Sequence, residues 1–179
     1  MIEHIEKEIK EDLKNFLLSQ KLVDDHLPEC PDVEELWPQI EEVYVPDGVR
    51  EFKDYPVVSL GWPMFIGMAF AKYWDEDWTA YANVGGKKLY EDLRDVDGYD
   101  NLDDTVLYKE LGLDETEAEK MSKVVAECAQ RIYHKLLTCG VEPGSKDAAI
   151  LYVYSLKQLY YYGMCMELNA LGYHMTKMG

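Results

Sequence analysis

From Ser145 to Leu171 the sequence reads as one long helix, and over Ala148 to Tyr154 it is apolar all round rather than along a stripe. A helix with no broad wet face has to be surrounded by others, which constrains the fold to a bundle that buries it. Its ends are marked. Ser145 follows Pro143-Gly144 and suits an N-cap, and Gly172 stands just past the other end.

A second helix is equally plain. Asp114 with Glu117 makes a capping pair, and Met121, Val125, Cys128, Ile132, Leu136 and Cys139 follow at helical steps until Gly140. At the start of the chain Ile2, Ile5, Ile9, Leu13, Phe16 and Leu17 recur at steps of three and four, predicting an amphipathic helix that ends near Val23. Residues 23–55 read as an irregular connector. Asp32 and Glu35 start a short helical piece there, and Pro38 interrupts it. Within the same segment Val43-Tyr44-Val45 and Val49-Arg50-Glu51-Phe52 flank Pro46-Asp47-Gly48, the pattern of a small β-hairpin over 43–52.

Beyond it, one helix is expected from Pro56 or Pro63 to just before Gly85-Gly86, with shorter pieces over Lys88–Arg94 and Leu102–Leu111. Residues 173–179, with His174, Met175 and Met178, read as a frayed tail. At 179 residues, with no repeat and no Ser/Gly-rich linker, the expected fold is all-α: a single-domain bundle of five or six helices.

The charge balance, 18 Lys+Arg against 35 Asp+Glu, is −17 with neutral histidines. That excludes nucleic acid and anionic membrane surfaces as natural partners and favours basic proteins, cations or neutral ligands. Because 47% of residues are hydrophobic, the chain is no disordered acidic tail. The most apolar stretch, Val57–Ala71, contains Gly61, Pro63 and Gly67 and is too short to span a bilayer. The N-terminus carries acids where a secretory signal needs a basic start. Cys30, Cys128, Cys139 and Cys165 are scattered without metal-ligand spacing, as expected of reduced thiols in the cytoplasm.

Two constellations suggest binding. On the last helix Ser155, Gln158, Tyr162, Cys165 and Asn169 share one stripe of hydrogen-bonding side chains, which would line a polar, Tyr-walled ligand pocket if it faced a cavity. The alternative is that the stripe is the helix's narrow wet face. Tyr73-Trp74-Asp75-Glu76-Asp77-Trp78 joins bulky rings to three successive acids, a composition suited to gripping a basic surface. Its alternative puts Trp74 and Trp78, four apart, into the core.

Other patterns fail on inspection. The acidic loop Asp95–Asp100 fits a calcium loop about Gly98 only with Leu93, which offers no oxygen, at the first ligand position. His134 has no companion ligands, and His4 and His26 lie among acids. Gly85-Gly86-Lys87-Lys88 lacks the remainder of a phosphate loop, and no catalytic residue, metal site or cofactor is indicated. The favoured expectation is therefore an acidic cytoplasmic interaction module or inhibitor that engages a basic partner through Trp74, Asp75, Glu76, Asp77 and Trp78. A small-ligand module using Ser155, Gln158, Tyr162 and Asn169 is the alternative, and an enzyme is disfavoured.

Overall fold

The computed structural model describes residues 2–26 and 30–173, and these form eight α-helices and no strand. In chain order they are α1 (Ile2–Ser19), α2 (Val33–Phe52), α3 (Pro56–Glu76), α4 (Trp78–Val84), α5 (Gly86–Asp97), α6 (Leu102–Asp104), α7 (Glu115–Thr138) and α8 (Lys146–Ala170). A 3-10 turn over Tyr99–Asn101 precedes α6, and a π-helical turn over Thr105–Glu110 follows it. The expected frayed tail lies, beyond Tyr173, outside the described residues.

The expectation of five or six helices is corrected to eight, partly because one anticipated helix is two. Asp77 accepts a hydrogen bond from the Ala80 backbone N–H at 3.1 Å, which starts α4 afresh and separates it from α3.

The hairpin is corrected as well: 43–52 is the second half of α2, and most of the expected connector is helix. Val33, Leu36, Trp37, Ile40 and Tyr44 are buried at helical steps, whereas Pro38 and Pro46 are exposed. Each proline deprives the residue four earlier, Glu34 or Glu42, of its amide partner, but both of these residues face solvent. Burial of one continuous face outweighs two losses of roughly 3 kcal/mol each, because water satisfies the orphaned carbonyls. Asp32 contributes through its backbone alone; it adopts a left-handed φ of 56° and makes no side-chain cap.

The anticipated caps of the two long helices are present. Asp114 Oδ1 accepts from the Glu117 N–H at 2.8 Å, and Ser145 Oγ from the Ala148 N–H at 3.1 Å. Past α8, Gly172 takes φ 99°, while the Tyr173 N–H donates to the Leu168 carbonyl at 2.9 Å, closing a Schellman turn.

α3 is the central helix, with every residue from Ser59 to Ala71 buried. α8 is its principal neighbour, and α7, α2 and α4 cover other sides. At the α3–α8 crossing Gly67 lies against the Tyr160 carbonyl and Gly163 against the Met64 carbonyl. The two backbones meet with no side chain between them.

Pro63 falls inside α3 and withholds the amide that would pair with the Ser59 carbonyl. The Tyr44 hydroxyl, from α2, donates to that carbonyl at 2.6 Å. Ser59 Oγ in turn donates to the Gly48 carbonyl at 2.7 Å and lies 2.6 Å from the Tyr152 hydroxyl of α8. A Cβ at Gly48 would sit 2.6 Å from that same hydroxyl, so this position of α2 is glycine for want of space.

Among the described residues no helix is long and apolar enough to cross a membrane.

Candidate functional site

The corner where α3 turns into α4 brings together the segment singled out in the sequence. Asp75, Glu76 and Asp77 are exposed, and Trp78, which opens α4, keeps 67% of its surface in water. Trp74 is half-buried and stacks edge-on against Tyr173, with ring centroids 5.3 Å apart. The two tryptophans therefore part company: one anchors the corner, and the other stands free on it. Isolated exposed apolar residues are ordinary, but an indole beside three carboxylates combines apolar contact area with long-range attraction for cations.

Residues distant in sequence extend the corner. The Tyr173 hydroxyl, just beyond α8, donates to Asp75 Oδ1 at 2.6 Å. Tyr73 is held well above its ordinary pKa, first by burial and then by the carboxylates of Glu110, Glu76 and Asp92. Lys72 offers local compensation through Glu76, at 3.6 Å. Glu167 on α8 is half-buried nearby: burial pushes its carboxyl up to about 7, Lys72 offsets part of the rise, and Asp75 adds to it.

The raised value sets a pH dependence. The folded chain holds the Glu167 proton more tightly than the unfolded chain, so the stability it contributes is full below about 4.5 and lost as pH climbs through about 7. Glu167→Gln, which never ionises, is expected to melt about 3–6 °C above the unsubstituted chain at pH 8 and level with it near pH 4, after discounting for partial solvent screening. Thermal melts at the two pH values decide it; equal midpoints at pH 8 would show that the carboxylate is fully solvated.

The polar stripe of α8 faces α1 and the segment after it. Ser155 Oγ donates to the Leu151 carbonyl of its own helix at 2.7 Å, the Tyr162 hydroxyl to the Lys10 carbonyl at 3.4 Å, and Asn169 Nδ2 to the Leu22 carbonyl at 3.1 Å. Cys165 Sγ lies 3.4 Å from Cys30 Sγ, while Gln158 is half-buried. The stripe thus ties the last helix to the first through backbone carbonyls, which engages polar atoms that a ligand would otherwise meet.

A different part of α8 borders a hollow that the sequence did not suggest. Between the end of α7, the α7–α8 loop and the last turn of α2 lies a space of about 190 Å³, walled by Phe52, Tyr133, Leu136, Leu137, Leu151 and Tyr152. Phe52 meets Tyr133 and Tyr152 edge-on, at 5.8 and 5.1 Å.

The remaining motifs settle into local roles. The expected acidic loop is helical at its start: Asp97 ends α5 and accepts from Lys109 Nζ at 2.6 Å and Thr105 Oγ1 at 3.2 Å. The Gly86 N–H donates to Gln39 Oε1 at 2.9 Å, and Gly86 packs so closely on the Leu36 carbonyl that a Cβ would collide with it. His4 pairs with Glu8 at 2.7 Å, the His26 N–H donates to Asp24, and His134 is exposed. Among the described residues no group of three or more His, Cys, Asp or Glu side chains is placed to hold a metal ion.

Sequence reasoning overlooked Glu167, although it is the only charged residue between Lys157 and Gly172. A lone carboxylate in an apolar helical run is a readable sign of a perturbed group. Glu110 and Asp92 carried no such sign, because only the folded chain brings them to Tyr73. Comparison with known protein families, curated proteins and solved structures finds no match to this chain.

Proposed function

We propose that this chain is an interaction module that engages a basic protein surface through the α3–α4 corner. The observation that carries the reading is Trp78, 67% exposed and contiguous with exposed Asp75, Glu76 and Asp77. Asp92 and Glu110 add to the negative field on the same side of the bundle, as their influence on Tyr73 indicates. In such an interface the indole supplies desolvated contact, and the carboxylates steer and orient the partner. The natural occupant is an Arg- or Lys-rich helix or loop with one apolar residue to cover the ring.

The test uses a fluorescent peptide with an Arg-rich helical face and a control with Glu at the Arg positions. Binding of the basic peptide is expected to weaken at least about tenfold from low to physiological salt, and about tenfold again in Trp78→Ala. Asp75→Asn/Glu76→Gln/Asp77→Asn should remove most of the salt dependence, and Asn at 77 can still cap α4. Equal affinity for both peptides, or indifference to both sets of substitutions, would refute the reading.

A second reading, a small-ligand module, draws support from the apolar hollow beside Tyr152, whose volume of about 190 Å³ suits a single ring. Indole titrated into the protein is expected to shift the methyl resonances of Leu137 and Leu151 saturably, and Ala148→Phe to abolish the effect. Shifts that only grow linearly with indole count against it.

A further inference from the structure

Cys30 lies between α1 and α2, outside both helices, Cys165 lies in α8, and their sulfurs are 3.4 Å apart although 135 residues separate them. Cys165 is fully buried and Cys30 is half-buried. Cys30 Sγ also lies 3.9 Å from the Tyr161 carbonyl, near the limit of a sulfur hydrogen bond, so the pair sits against the α8 backbone. Neither sulfur takes part in the acidic corner or in the apolar hollow. Cys128 and Cys139 are both on or beside α7, Cys128 buried and Cys139 half-buried.

We propose that Cys30 and Cys165 are an oxidation site at which a hydroperoxide installs a disulfide, fastening the α1–α2 segment to the last helix. The geometry leaves little to do. Bonded sulfurs stand about 2.05 Å apart, so closure needs ~1.4 Å of movement, and Cys30, outside any helix, can supply it while packing holds Cys165 in place. The half-buried sulfur reacts first. Cys30 sulfur attacks the terminal peroxide oxygen, giving Cys30 sulfenic acid and releasing the alcohol, or water when the oxidant is hydrogen peroxide. Cys165 sulfur then attacks the Cys30 sulfur, forming the S–S bond and expelling the sulfenic oxygen as water, while the two thiol protons leave with the released oxygens. In sum, two thiols and one hydroperoxide give one disulfide, one alcohol and one water.

The Cys165 sulfur beside Cys30, together with burial, holds the Cys30 thiol far above its ordinary pKa. Reaction at neutral pH is therefore slow, which suits a response to sustained rather than transient oxidant. Once made, the bond spans most of the chain, and such long closures constrain the unfolded state most strongly.

The full chain, reduced and then freed of reductant, is treated with hydrogen peroxide and analysed by intact mass, peptide mapping under non-reducing conditions and thermal melting. Expected are a loss of two hydrogens, a single cross-linked peptide pair joining Cys30 to Cys165, and a midpoint raised by about 10 °C that dithiothreitol reverses. Cys128 and Cys139 should remain open to alkylation after denaturation. Mapping is done on the unsubstituted chain, so the result does not depend on whether Cys165→Ser folds; where it does, Cys30→Ser and Cys165→Ser should each abolish the midpoint shift. Added oxygen at any cysteine without cross-linking, a bond between other cysteines, or a cross-link that leaves the midpoint unchanged would overturn the proposal.

Discussion

Alanine at Gly67 or at Gly163 is expected to destabilise the fold by about 3–5 kcal/mol, enough to leave much of the chain unfolded at 37 °C. The reason lies in what the new methyl group would strike. At Gly67 it would collide with the Tyr160 carbonyl and crowd the Met164 amide, and at Gly163 with the Met64 carbonyl and α-carbon. A flexible side chain could turn aside, but backbone cannot, so α3 and α8 would have to separate along the most extensive contact in the bundle. Because both substitutions push apart the same two backbones, the double variant should cost clearly less than the sum of the singles. Gly98, with open space around the position of a Cβ but φ 90° and ψ 164°, offers a contrast: alanine there is penalised by backbone conformation alone, by about 1–3 kcal/mol. Urea titrations of the four variants test the argument; a Gly67→Ala protein as stable as Gly98→Ala would mean that the helices do not meet at this crossing.

The second large effect concerns the hydrogen bond that α2 lends to α3. Tyr44→Phe is expected to cost about 2–3 kcal/mol, because the buried Ser59 carbonyl then has neither the Pro63 amide nor the Tyr44 hydroxyl, and the Tyr99 hydroxyl, 3.2 Å away, loses its neighbour too. Pro63→Ala restores the amide. In that background Tyr44→Phe should cost at least about 1 kcal/mol less, a coupling that a double-mutant cycle reads directly. Costs that add within about 0.5 kcal/mol would show that the two donors do not serve the same carbonyl.

The prolines also explain where sequence and structure agree and where they diverge. The caps at Asp114 and Ser145 and the stop at Gly172 are local chemistry, and each functions in the structure as its residue type predicts. α2 is different, since Pro46-Asp47-Gly48 is a good turn sequence by every local criterion. What overrules it is the spacing of Val33, Leu36, Trp37, Ile40 and Tyr44, whose value comes from burial against other helices and is invisible to a rule about turns. The helix count missed for the opposite reason: Asp77 is a local cap inside a run whose apolar pattern reads as continuous.

The candidate site was legible to the same extent. Trp74 through Trp78 stood out because rings and acids are adjacent in sequence, yet helical spacing alone could not say that Trp78 faces water while Trp74 packs on Tyr173. Glu110, Asp92 and Glu167 join the corner only through tertiary contact. The α8 stripe was visible as a pattern, but its surroundings are set by the carbonyls of Lys10 and Leu22, from the other end of the chain.

One consequence of α2 reaches beyond its own shape. Its Tyr44 hydroxyl completes the ladder of α3 at the carbonyl that Pro63 leaves without an amide, so α3 is not whole while α2 is detached. Such dependence penalises any state in which α3 is buried without α2, and it couples the docking of the two helices instead of leaving each to dock on its own.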